Sequence, residues 1–189
     1  MSCGNGTLRK DSFAYSGIYR GEVVSTADPD QVGRIRVRVF GIFEDTIATA
    51  NLPWAVPAQA VFTGSGSGYG RWAVPEVGTH VFVFFEGQDV YQPVYFAEAP
   101  SKVYGQPTER TTNYPTRKVL KTANGIVIYI DDTAKVIQLT HPSGKSLQMD
   151  GSGNITINAA NVTVNASGKV DLTAAGNVTV SGAQIDLNP

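Results

Sequence analysis

The feature that most constrains this chain is its C-terminal stretch, where apolar residues return in pairs one residue apart: Ile155/Ile157, Val162/Val164, Val170/Leu172, Val178/Val180 and Ile185/Leu187. Successive pairs are offset by 7, 8, 8 and 7 residues, and a polar residue sits inside each: Thr156, Thr163, Asp171, Thr179 and Asp186. On an extended backbone each pair shares one face and the polar residue takes the other. Ala159, Ala166, Gly168, Ala174, Gly176 and Gly182 lie between the pairs and permit corners. Each repeat therefore reads as one strand and one corner, offering only two apolar side chains to a core. A single-chain triangular coil would stack too few turns to bury them, and a disordered tail lacks regular β-branched pairs. Three chains wound about one threefold axis satisfy the pattern. The Val, Ile and Leu residues then point to the axis, Thr, Asn and Asp face water, and each strand edge meets the next chain. From residue 118 onward, roughly nine strand units at ~4.8 Å per layer predict a prism on the order of 40 Å long.

The rest of the 189-residue chain reads as β-structure as well. Charged residues are only 16% of the total, glycine is plentiful, and the net charge of −1 gives no general attraction to nucleic acid or to an acidic membrane. The single cysteine, Cys3, allows no intrachain disulfide. The opening residues carry no apolar signal-peptide core, and no run reaches the length of a membrane span. By texture the chain divides into an N-terminal extension (1–12), a compact β-domain (13–100), a polar linker with two prolines (101–117) and the repeat-bearing region (118–189). In the compact domain, "GIYRGEVVST", "RIRVRVF", "THVFVFFEG" and "PVYFAEA" read as strands, and the proline-interrupted "LPWAVPAQAVF" reads as a short or edge strand. Five short strands at this spacing predict a sandwich or small barrel.

The order of motifs in that domain carries a resemblance. "DPDQVGRIRVRV", then "LPWAVP", then "VPEVGTHVFVFFEGQDVYQPVYFA" resembles the OB-fold domain of contractile-tail central spike proteins, the phage baseplate assembly protein V type and the related VgrG proteins of type VI secretion. "NGIVIYIDD" through "DGSGNITINA" is similar to the start of that family's trimeric β-helix. The resemblance implies an all-β protein, an N-terminal OB-fold barrel followed by an intertwined trimeric β-helix. It implies a homotrimeric spike in the baseplate of a virion tail, assembled in the host cytoplasm, with a hub protein above the OB domains and the host outer envelope as target. Some relatives carry a lysozyme domain after the barrel, for which residues 101–117 leave no room; others carry a His-x-His iron site at the tip. Here the only histidines are His80 and His141. At the tip-proximal residues Ile185, Leu187 and Pro189 the repeat is still in phase, so the resemblance implies a separate PAAR-type tip protein.

Sharper chemical readings are weaker. His80, Phe82 and Phe84 alternate with Val81, Val83 and Phe85, and both faces of that strand are apolar. One face is expected to fill the barrel and the other to meet a neighbouring subunit or the hub; no carboxylate or nucleophile accompanies His80 in a motif. Arg34, Arg36 and Arg38 share one strand face, the pattern of an OB-fold protein that binds single-stranded nucleic acid and oligomerises through its tail. With Glu22, Asp28 and Asp30 nearby and a slightly acidic chain, a salt-bridged face is the expectation, and no nucleic-acid partner. "GSGSGYGR" lacks the Lys-Ser/Thr of a phosphate loop. A carbohydrate-active β-helix would need aromatic residues on the repeat, and there is none from Ile155 to Leu187. Asp131 and Asp132 are neighbours that alternate faces and do not converge on one ligand. No catalytic, cofactor-binding or metal-ligating spacing emerges, so neither enzyme activity nor a cofactor is expected.

Overall fold

The computed structural model describes residues 15–59, 70–101 and 105–186. The chain divides into two compact units, Met1–Thr108 and Glu109–Pro189. Leu187 and Pro189, expected at the core and the tip of the repeat, lie outside the described residues.

The first unit is built on strict alternation. In β2 (Ile35–Val39) the residues Ile35, Val37 and Val39 are buried, while Arg36 and Arg38 turn outward. The same period places Val81, Val83 and Phe85 of β4 (His80–Phe85) inside. With β1 (Tyr19–Ser25), β3 (Trp54–Pro57) and β5 (Pro93–Glu98), these strands close a barrel in the order β1-β2-β3-β5-β4. All neighbours are antiparallel except the parallel pair β3–β5. The core joins Val23, Ile35, Val37, Val39, Ala55, Val81, Val83, Phe85 and Tyr95. Phe85 lies against Tyr15, Tyr19 and Phe43, with ring centroids 5.5, 5.5 and 6.4 Å away. Closure needs a close approach at Gly21, which pairs with Val39 on one side and Val81 on the other. A Cβ there would lie 2.5 Å from Val37 Cγ1 and 2.8 Å from the Arg38 carbonyl oxygen, so no other residue fits without a shift of the strands.

The proline-interrupted segment is short, as its sequence indicates, but it is not an edge. β3 pairs with β2 through Trp54 and Ala55 and with β5 through Val56 and Pro57, changing partner midway. Pro57 occupies the last position of the strand, and donation resumes at once with the Ala58 N–H to the Tyr95 oxygen at 2.8 Å.

The second unit holds an antiparallel meander of β6 (Arg117–Lys121), β7 (Val127–Asp131), β8 (Val136–Thr140), β9 (Ser146–Met149) and β10 (Ile155–Asn158). Its hairpins are closed by turns such as Thr122–Gly125, His141–Gly144 and Asp150–Gly153, each with a backbone bond across it of 2.8–3.0 Å. Beyond Asn158 the described residues 159–186 contain no strand and no backbone–backbone hydrogen bond.

Candidate assembly surfaces

The motifs that carry the resemblance build the barrel's turns. Asp28, whose side chain is almost wholly buried, accepts the backbone N–H groups of Asp30, Val32 and Arg34 at 3.1, 2.9 and 3.1 Å. The Arg34 guanidinium grips the same carboxylate through Nε at 3.0 Å and Nη2 at 2.6 Å, and it also meets Asp30. That guanidinium, with the three N–H donors, holds the Asp28 carboxyl well below the usual carboxylate range. Gly33 has φ +81, a conformation that L side chains rarely adopt, and a Cβ would sit 2.7 Å from the Trp72 ring. Its carbonyl accepts the buried Tyr95 hydroxyl at 2.7 Å, and burial raises the pKa of that phenol. In "EGQD" the Asp89 N–H closes on the Glu86 oxygen at 3.0 Å, and the Asp89 carboxylate takes the Tyr91 N–H at 2.9 Å. The residues that carry the resemblance are therefore those that fold the barrel's turns.

The three arginines are engaged within the unit. Arg36 lies over Trp54, 4.3 Å from the ring centroid, and its Nη1 donates to the carbonyls of Thr49 at 2.8 Å and Leu52 at 2.9 Å, and to that of Ala50. Arg38 Nη2 donates to the Ile47 carbonyl at 2.8 Å. The face that motivated a nucleic-acid reading is thus tied to its own loops, while Asp28 and Asp30 take Arg34 as expected.

Outside the barrel, His80, Phe82 and Phe84 alternate with the core residues of β4 and are half-buried. They form part of an aromatic stripe across neighbouring strands. Phe82 stacks on Phe96 at 6.0 Å, Phe84 lies 6.1 Å from the same ring, and Phe40 meets His80 edge-on at 5.3 Å. Arg20 covers Phe82 at 5.4 Å. Phe40 and Phe96 were not singled out in the sequence, because only strand pairing brings them beside β4.

In the C-terminal sheet the two faces differ sharply. On one, the register aligns Leu120, Ile128, Leu139, Leu147 and Ile157 in a row across all the strands, and Lys118, Ile130, Ile137, Met149 and Ile155 in the next. Every apolar member of both rows is exposed, from 41% at Ile128 to 65% at Ile155. The other face carries a hydrogen-bonded polar network beside Val119, Val127 and Val136. The Tyr129 hydroxyl donates to Gln138 Oε1 at 2.6 Å, Gln148 Nε2 donates to the same oxygen at 3.1 Å, and Gln138 Nε2 donates to Thr140 at 2.8 Å.

Asp131 closes one end of that polar face and is completely buried. It accepts the Ala134 N–H at 2.9 Å, Asn113 Nδ2 at 2.9 Å and Arg117 Nε at 2.7 Å. Against the opposing effect of burial, the Ala134 N–H above all, then Asn113 and Arg117, lowers its pKa from 3.8 to about 2. Asn113 and Arg117 fall in the stretch that reads as linker, and the strand they introduce, β6, carries no clear apolar period in sequence.

Of the residues expected at a trimer core, Ile155 and Ile157 complete the apolar rows on β10. Val162, Val164, Val170, Leu172, Val178, Val180 and Ile185 follow on the unpaired stretch, all exposed, with Leu172 at 75%. The structure does not bring these later pairs together within one chain. Among the described residues no group of three His, Cys, Asp or Glu side chains is placed to hold a metal ion.

A closed five-stranded barrel with internally engaged arginines and an aromatic stripe outside defines the first unit as a structural domain of the OB class. More narrowly, residues 19–98 match the family model of the type VI secretion system/phage-baseplate injector OB domain. The match covers the barrel and ends before the C-terminal unit. No curated protein matches the chain.

Proposed function

We propose that this protein is the homotrimeric central spike of a contractile injection baseplate, with the barrel as its docking module and the region from residue 118 onward as a three-chain β-prism that punctures the target envelope. One observation carries the reading: the two exposed apolar rows of the C-terminal sheet run on into a stretch of Val/Ile pairs that has no strand partner among the described residues. Contiguous apolar surface and unpaired extended backbone are both unfavourable in water. Identical stretches from two further copies remove both at once, with Ile155, Ile157, Val162, Val164, Val170, Leu172, Val178, Val180, Ile185 and Leu187 at the axis. A fully paired prism is stiff, so tail contraction drives it through the envelope without unfolding it.

The stripe of His80, Phe82 and Phe84 then faces a neighbouring barrel or the hub, and Ile185, Leu187 and Pro189 meet a PAAR-type tip protein. The role is mechanical, with no reaction, cofactor or nucleic acid assigned to it, and the particle assembles in the host cytoplasm before release. The test is a pair of substitutions read by sedimentation. Val164→Asp sets three carboxylates on the axis at one layer and should dissociate the trimer, whereas Thr163→Asp points outward and should leave its mass unchanged. Equal behaviour of the two would refute the facing.

A further inference from the structure

Lys118 is the one charged member of the two apolar rows, standing beside Ile130 in a row that continues through Ile137 to Ile155. The other lysine of that strand, Lys121, falls on the opposite face and pairs with Glu109 at 2.7 Å. An ammonium among aliphatic neighbours is unfavourable once water leaves, unless it is paired. At Lys118 the partners lie in the adjacent row, two residues along the strands: Nζ donates to the Thr116 carbonyl at 2.9 Å and to the Asp132 carboxylate. In the single chain both charged side chains are more than half exposed, at 59% and 57%, so neither is held by the chain's own packing.

We infer that the Lys118–Asp132 pair fixes the register in which copies of this chain pack their apolar faces together. The inference rests on the trimeric reading above and names what makes that assembly unique. The repeat offers little to tell one layer from the next: its pairs recur every 7 or 8 residues, and exchanging a Val for a Leu or an Ile across the axis changes few contacts. A slip of one layer would instead press the Lys118 ammonium against a neighbour's aliphatic layer and strip its water. In the level register, three neutral Lys118–Asp132 pairs ring the head of the prism at the polar end of the row and bring no net charge to the axis. A lone polar position in an apolar seam sets register in this way, at some cost in stability.

The test uses the full-length chain with Cys3→Ser, in which Val164→Cys supplies one thiol per chain on a single layer. Mild oxidation then links two chains of each trimer only where the layers are level. Adding Lys118→Leu should preserve the trimer mass yet lower the linked yield by roughly fivefold, as expected for losing one modest preference among registers. The exchange Lys118→Asp with Asp132→Lys should restore it. Unchanged linking in the Lys118→Leu trimer, its collapse to monomer, or an exchange that fails to restore the yield would each overturn the register role. A monomeric chain before Lys118 is altered would instead overturn the trimeric reading beneath it.

Discussion

In the barrel, Ile35, Val37 and Val39 alternate with arginines that bind their own loops; in the C-terminal sheet, Ile128 and Ile130 alternate with Val127, Tyr129 and Asp131. Both regions use the same period-2 code, yet they end differently because of their edges. The pairing of β1 with β4 closes the first sheet, so its apolar face becomes an interior and no strand edge remains. The second sheet is an open meander with edges at β6 and β10, and among the described residues of its unit nothing covers the apolar rows. Its polar face, by contrast, is finished, with Gln138, Gln148 and Tyr129 bonded to one another and Asp131 holding three partners. On the proposal above, a sheet with one bonded face and one bare apolar face is half of an interface. Alternation alone therefore specifies strands, and closure decides whether they form a domain or a subunit.

The sharpest way to break this comparison is to disrupt the apolar residues of each region in turn. Val164→Asp should cost several kcal/mol per trimer and abolish assembly while leaving barrel melting unchanged, as followed by sedimentation and by the aromatic signal of the barrel. Val37→Ala opens a cavity in the closed core and should lower barrel stability by about 2 kcal/mol in denaturant titration, with no change in mass. Gly33→Ala, strained at its positive φ and pressed against Trp72, should cost about 1–3 kcal/mol by the same measurement. Arg36→Ala should cost about 1 kcal/mol by removing bonds to loop carbonyls. Its affinity for single-stranded oligonucleotides, measured against the unaltered chain, should not move.

The smallest effect is one of pH. Asp131 is held below its unfolded value, so its contribution is fully present above the ordinary carboxylate pKa of 3.8 and is lost as pH falls through about 2. Melting of the C-terminal unit should decline across that window, and Asp131→Asn should flatten the slope. An unchanged slope would mean that other carboxylates govern the acid limb.

What was legible in the sequence follows from what is local. Period-2 patterns separated the two faces of β2 and β4, because that signal is contained within a few residues. The pairing of β3 was not legible: its change of partner from Ile35 to Val94 joins residues far apart in the chain. Nor was the burial of Asp131, because its partners Asn113 and Arg117 arrive from 18 and 14 residues upstream. β6 was not singled out as a strand because Arg117, Lys118 and Lys121 leave "RKVLK" without apolar alternation. The repeat is the reverse case. Its pairs are plain in the sequence, whereas the neighbours proposed for them belong to other copies of the chain.

The most direct test of the account is the solution mass by light scattering of the whole chain beside one ending near residue 108, where the barrel is already closed. The account predicts three times 20.1 kDa for the full chain and a fall to smaller species for the shorter one. A full-length chain that scatters as a 20.1 kDa monomer would contradict it.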